Sequence, residues 1–201
     1  MKTFAIIFFL LLLKAIQADA QINVPLRKNI TITPDGTQGQ QEWSNALKIS
    51  LERDYGLYLQ ADKDWLYIGA FGRQTMPYTD MYIKTTTGLI NLHASMQLGE
   101  RLLPQDNSWN DETPAWNWGN NTHWTANTVT YKTGASENQP FREQVNAYEG
   151  QEFKIAISKT GKEFSLLVVM RDFVDADIHV SFPANGNQYD VRSWQTLSIR
   201  N

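Results

Sequence analysis

The sequence contains no cysteine, which removes disulfides, thiol catalysis, thiolate-held zinc and a lipidated N-terminal cysteine together. It has no excess of either charge. The 18 Lys and Arg against 21 Asp and Glu leave a formal net charge of −3, and the basic residues are scattered along the chain, so the electrostatic footprint of a nucleic-acid partner is missing. No apolar run is long. The longest covers residues 4–13 and ends at Lys14, against about 20 residues needed to cross a bilayer. Long helical periods and internal repeats are absent, and so are the Gly-x-Ser-x-Gly elbow, the His-Glu-x-x-His pair and a complete phosphate loop. His93, His123 and His179 lie far apart and read as surface or core histidines. Little in the sequence marks an enzyme.

The N-terminus has the parts of an export signal. Lys2 gives the positive start, residues 4–13 the apolar stretch, and Ala18-Asp19-Ala20 the small-x-small cleavage pattern. The expectation is a signal peptide over 1–20, a mature chain from Gln21, secreted or periplasmic, with no membrane span after cleavage. Residues 21–201 suit one domain, since about 100–200 residues is the usual domain size. Asn29-Ile30-Thr31 and Asn120-Asn121-Thr122 are glycosylation sequons, meaningful only in a eukaryotic secretory pathway.

Past the signal, the apolar residues keep a two-residue rhythm. Leu47, Ile49 and Leu51 alternate with Lys48 and Ser50; Leu57 and Leu59 alternate with Tyr58 and Gln60; Phe153, Ile155 and Ile157 alternate with Lys154, Ala156 and Ser158. Pro34-Asp35-Gly36, Asp62-Lys63-Asp64 and Thr160-Gly161-Lys162 are turn-forming triplets between such runs. "FSLLVVM" from Phe164 is apolar on both faces, as a central covered strand should be. About ten short strands with turns between them predict an all-β chain: a two-sheet antiparallel β-sandwich, jelly-roll-like, with a closed barrel as the alternative.

Four landmarks in order carry a family likeness: "DGTQGQQEW" (35–43), "DKDWLYIGAFG" (62–72), "EFKIAIS" (152–158) and "FPANGNQYDVRSWQTLSI" (182–199). Together they resemble the family 9 carbohydrate-binding modules over nearly the whole mature chain. The resemblance implies a β-sandwich, often with structural calcium, that holds a sugar between aromatic rings. It makes Trp43 and Trp194 fold-closing residues. The sequence departs from the family where "DMYIKTT" (80–86) ends in Lys84 and Thr85 instead of an acidic residue.

The stretch "WNDETPAWNWGNNTHW" (109–124) holds four of the seven tryptophans among turn-forming polar residues. Sugar binding gives this mixture a reason. The C–H face of a pyranose packs on an indole, burying apolar area at about 25 cal/mol per Å², while neighbouring amides bond the hydroxyls. Trp109, Trp116, Trp118 and Trp124, with Asn117 and Asn120, are therefore the candidate ligand-binding residues, and a glycan or polysaccharide is the candidate partner. The competing reading is a satellite core built from the same rings. For calcium, Asp62 and Asp64 in one turn offer oxygen ligands at short spacing, though turn formation alone also accounts for them. The function expected is non-catalytic glycan binding; the alternatives are a glycoside-processing enzyme with the loop as its cleft, or a surface structural or adhesion protein.

Overall fold

The computed structural model describes residues 21–200 apart from 29, 40, 74, 75, 120, 174 and 176. The expected signal peptide, Asn29 and Asn120 lie outside the described residues. The early strands are β1 (Ile22–Pro25), β2 (Leu47–Ser50), β3 (Gly56–Ala61), β4 (Trp65–Phe71), β5 (Pro77–Lys84), β6 (Leu89–Ala94) and β7 (Leu98–Leu103). Then come β8 (Asn117–Trp118), β9 (Trp124–Ala126), β10 (Gly150–Ala156), β11 (Glu163–Asp172), β12 (His179–Phe182) and β13 (Gln195–Arg200). Two one-turn helices, α1 (Phe141–Gln144) and α2 (Ile157–Thr160), flank β10. None of the described helices is long and apolar enough to cross a membrane.

The strands form two sheets, not a closed barrel. The larger runs β1-β13-β11-β5-β6-β7-β8, and the smaller β2-β3-β4-β10-β9. The unbroken apolar run after Phe164 becomes β11, an interior strand of the larger sheet. Its ten residues are shared along one edge: Glu163 to Leu166 pair with β13, and Val168 to Arg171 pair with β12. Leu166, Val168 and Met170 enter the core between the sheets, while Leu167 and Val169 enter a second cluster on the outer face. That is why the run needs no polar residue on either side.

Two details differ from the sequence reading. Strand β1 pairs parallel to β13, Ile22 opposite Leu197 through Pro25 opposite Arg200. These are the first and last strands of the fold, so no hairpin fixes their relative direction. The strand expected through Ile157 ends at Ala156; Ile157–Thr160 makes a turn of helix whose terminal carbonyls are closed by Gly161 at φ 73°, its N–H donating to Ile157 O.

One buried carboxylate ties two of the sequence landmarks together. Glu152, fully buried on β10, accepts from the backbone N–H of Asp35 (2.7 Å) and Gly36 (2.8 Å) and from Trp43 Nε1 (3.0 Å). Trp43 then packs edge-on with Tyr58 and Phe71 against the outer face of the smaller sheet. In the departure from the family pattern, the Thr85 hydroxyl accepts from Thr87 N and Gly88 N, so this side chain closes the β5–β6 turn.

Candidate functional site

The site lies on the outer face of the larger sheet. Alternation sends Met81, Ile83, Leu92 and Ala94 into the core and leaves Tyr78, Asp80, Tyr82, Asn91 and His93 facing outward. Gly99 and Arg101 on β7 and Arg171 on β11 share that face. Register places Arg171 opposite Tyr78, Asp80 opposite His93 and Asn91 opposite Arg101. Half of the face is sealed by Trp109, Val191 and Trp194, which fold down from two loops onto Tyr82, Leu89, Leu103, Leu167 and Val169. The other half stays open as a cavity of about 310 Å³, at the small end of ligand sites.

Aromatic rings cross this opening in a row. Phe173 stacks on Tyr78 (centroids 5.1 Å apart, 20° between planes), Tyr78 meets His93 at 5.0 Å, and His93 points its edge at both Trp116 (5.5 Å) and Trp118 (5.4 Å). The two indoles stack on each other at 5.1 Å. Phe173 is 52% exposed and Trp118 48%, so an exposed ring stands at each end of the row. Gly99 makes the arrangement sterically feasible: a Cβ there would lie 2.6 Å from Trp118 and 3.1 Å from Trp116.

Beneath the rings runs a chain of polar groups. Asp80 Oδ1 lies 2.9 Å from His93 Nδ1, and His93 Nε2 lies 2.9 Å from Ser95 Oγ. The other oxygen of Asp80 accepts from Arg171 Nη1 (3.2 Å), which also donates to Tyr78 OH (3.3 Å). Arg101 donates from Nε to Asn91 Oδ1 (2.9 Å) and from Nη1 to Asp111 O (3.2 Å), with its guanidinium 4.4 Å from the Trp116 ring. Burial, then the neighbouring Asp80, pushes the Tyr78 and Tyr82 hydroxyls upward, so both stay protonated at neutral pH. Here are donors, acceptors and exposed rings around one opening.

The structure divides the residues that sequence reasoning grouped. Trp116 and Trp118 meet at the cavity, with Asn117 exposed between them on β8. Trp109 is buried in the outer cluster. Trp124 is buried in the inter-sheet core, stacked on Phe153, its Nε1 donating to Glu100 Oε2 at 2.7 Å while Glu100 pairs with Lys159 at 2.6 Å. These two rings present no free face. His93, read from sequence as a packing histidine, forms part of the cavity wall.

The acidic turn does not fit a calcium ion. Asp62 Oδ1 accepts from Asp64 N and Trp65 N, its Oδ2 from Tyr67 OH, and Asp64 pairs with Lys63 at 2.6 Å. The Asp62 carboxylate is spent on closing the β3–β4 turn, and that of Asp64 faces Lys63. Among the described residues no three His, Asp or Glu converge in a way that would hold a metal.

Sequence reasoning passed over Tyr78, Asp80, Arg101, Arg171 and Phe173. Their signal was a charge inside an apolar strand: Asp80 in "YTDMYI", Arg101 in "GERLL", Arg171 in "VVMRDF". A larger hollow of about 980 Å³ lies over the smaller sheet, by Trp43, Tyr58 and Phe71. Those rings are buried against one another and offer no exposed face for stacking, which makes the smaller cavity the better candidate.

No protein-family model matches the sequence, and neither does any curated protein. Among solved structures, a family 9 carbohydrate-binding module from Caldicellulosiruptor kristjanssonii, determined in complex with cellotriose, is similar over 90% of this chain and 94% of its own. The TM-score is 0.50 and the sequence identity 10%, so the likeness is one of fold. Two sheets, their order along the chain and this overlap agree: the chain has the fold of a family 9 carbohydrate-binding module.

Proposed function

We propose that this protein is an exported binding module that holds a glycan in the cavity of the larger sheet without cleaving it. The observation that carries the reading is the half-exposed Trp118, stacked on Trp116 and seated on Gly99, above a floor of bonded polar side chains. A sugar needs such a pair of surfaces: a flat apolar ring for its C–H face and a polar edge for its hydroxyls. The structural neighbour's complex with cellotriose supports the choice of ligand class. Export rests on the sequence of the N-terminus, with Lys2, the apolar stretch 4–13 and Ala18-Asp19-Ala20. A glycan array on the mature chain, followed by titration of any hit against wild type and Trp118→Ala, tests the reading. Binding that Trp118→Ala weakens supports it; binding unaffected by Trp118→Ala, or none to any glycan, overturns it.

One observation favours a second reading. Asp80, His93 and Ser95 are hydrogen-bonded in the order of an acid–base–nucleophile triad. A hydrolase would need Ser95 Oγ open to the ligand, whereas the cavity is walled by His93 and Asp80 and Ser95 lies behind them, buried. Covalent labelling of Ser95 by a fluorophosphonate would favour this second reading; an unlabelled serine leaves the chain as a relay that orients His93 and Asp80.

A further inference from the structure

We infer that the glycan taken by this cavity carries carboxylates, as an oligouronate does, and that Arg171 and Arg101 at its two ends read them. The inference rests on the glycan-binding reading and adds the ligand's charge to it.

Arg101 is almost fully buried, yet among the described residues no carboxylate oxygen lies within 4.0 Å of its guanidinium; its neighbours are the Asn91 amide oxygen, the Asp111 backbone carbonyl, the Tyr82 hydroxyl and the Trp116 indole face. A buried charge is costly unless an opposite charge compensates it. Arg171 has a counter-ion, but a divided one: Asp80 gives one oxygen to Arg171 and the other to His93. The Arg171 side chain is also 31% exposed at the cavity. Of the acids of the wall, Asp80 has both oxygens engaged. Beyond Asp80, Asp111 Oδ1 already accepts from Gln188 Nε2 (3.0 Å) and Tyr189 OH (2.6 Å).

A ligand therefore meets acceptors of which three carboxylate oxygens are engaged, and guanidiniums with donor capacity to spare. A neutral sugar would ask equally for both kinds of partner. A carboxylate asks for donors, matches the planar guanidinium fork and supplies the missing negative charge. The two arginines flank the aromatic row: Arg171 beside Tyr78 at the Phe173 end, and Arg101 against Trp116 at the other. Their strands are three spacings apart, roughly 14 Å at about 4.8 Å per strand, which suits an oligosaccharide more than a single ring.

The test uses the mature chain with three probes: trigalacturonic acid, its fully methyl-esterified form and cellotriose. The expected result is that wild type binds the acid at least about tenfold more tightly than the ester, the size of one charge-assisted contact, and that added salt erodes the difference. The acid-to-ester preference should fall toward one in Arg171→Gln and persist in Arg171→Lys, with melting curves showing that both variants are folded. Equal or tighter binding of the ester or of cellotriose by wild type would overturn the inference and leave glycan binding standing. A preference untouched by Arg171→Gln would overturn the assignment of the reader. Failure to bind any of the three, together with an empty glycan array, would remove the glycan reading and this inference with it.

Discussion

Replacing Trp118 by alanine and Trp109 by alanine should move two different measurements. A tryptophan side chain offers about 150–250 Å², and Trp118 keeps 48% of its surface exposed, so roughly 100 Å² of ring is free. A sugar covering about half to all of that area would gain about 1.2–2.5 kcal/mol at 25 cal/mol per Å², or about 7- to 60-fold in Kd. The stability loss in Trp118→Ala should stay near 1 kcal/mol, the worth of one aromatic pair, because the exposed face packs against nothing. Trp109 is 5% exposed among Tyr82, Leu103 and Trp194, and its removal should cost about 3–5 kcal/mol, as buried tryptophan deletions do. Ligand titration by calorimetry, beside urea unfolding curves, reads both quantities in both variants. If Trp118→Ala keeps its affinity within about twofold, or is destabilised as much as Trp109→Ala, the division between platform and anchor is refuted.

Three further outcomes follow from the same geometry. Gly99→Ala should push the indole pair off the sheet, since its Cβ would lie 2.6 Å from Trp118 against an optimum of about 3.5–4.0 Å; affinity should drop about fivefold or more while the melting temperature changes little, and unchanged affinity would show that the rings need not lie on Gly99. Burial pushes the Glu152 carboxyl up to about 7 against the bonds from Gly36, Asp35 and Trp43 that draw it down. A folded-state value above the unfolded 4.5 means that the folded chain holds the proton more tightly, so this group's contribution is greatest below pH 4.5, falls as pH rises toward 7 and is flat above, by at most about 3 kcal/mol. Glu152→Gln should flatten that slope in urea titrations across pH and lower the stability overall, because its NH₂ cannot accept from Trp43 or the Asp35–Gly36 turn. Finally, N-terminal sequencing of exported protein should begin near Gln21; material that retains Met1 would count against cleavage.

The fold was legible because its strongest signals are local and physical. The alternation of Leu47 with Ile49 and of Phe153 with Ile155 gave β2 and β10, and Asp62-Lys63-Asp64 gave the β3–β4 turn through the capping bonds of Asp62. Less legible was that strands such as β3 and β6 are buried on both faces. Their polar-looking positions, Tyr58, Gln60, Asn91 and His93, are roofed by loops, and no pattern within a strand reports which loop will fold over it. The Asp35-Gly36 turn with Trp43, and Glu152, stand in two landmarks far apart in the sequence. They are one contact, made on Glu152 across more than a hundred residues.

The tryptophan-rich stretch posed a choice between a satellite core and a binding platform, and the structure makes each half of that choice depend on the other. Trp109 and Trp124 are sunk at the two ends of the stretch, one in the outer cluster and one between the sheets. Pinned there, the chain between them has no apolar surface left to seek. It lies along the sheet edge, held by β8 pairing Trp118 with Gly99 and Asn117 with Glu100. The exposed stack of Trp116 and Trp118 is then positioned by the buried pair, at little ordering cost when a ligand arrives. Sequence spacing could not separate the two roles, because all four rings share the same polar neighbours. What separates them is the surface beneath each ring: apolar side chains under Trp109 and Phe153 against Trp124, but a glycine and the charged wall of a cavity under Trp118 and Trp116.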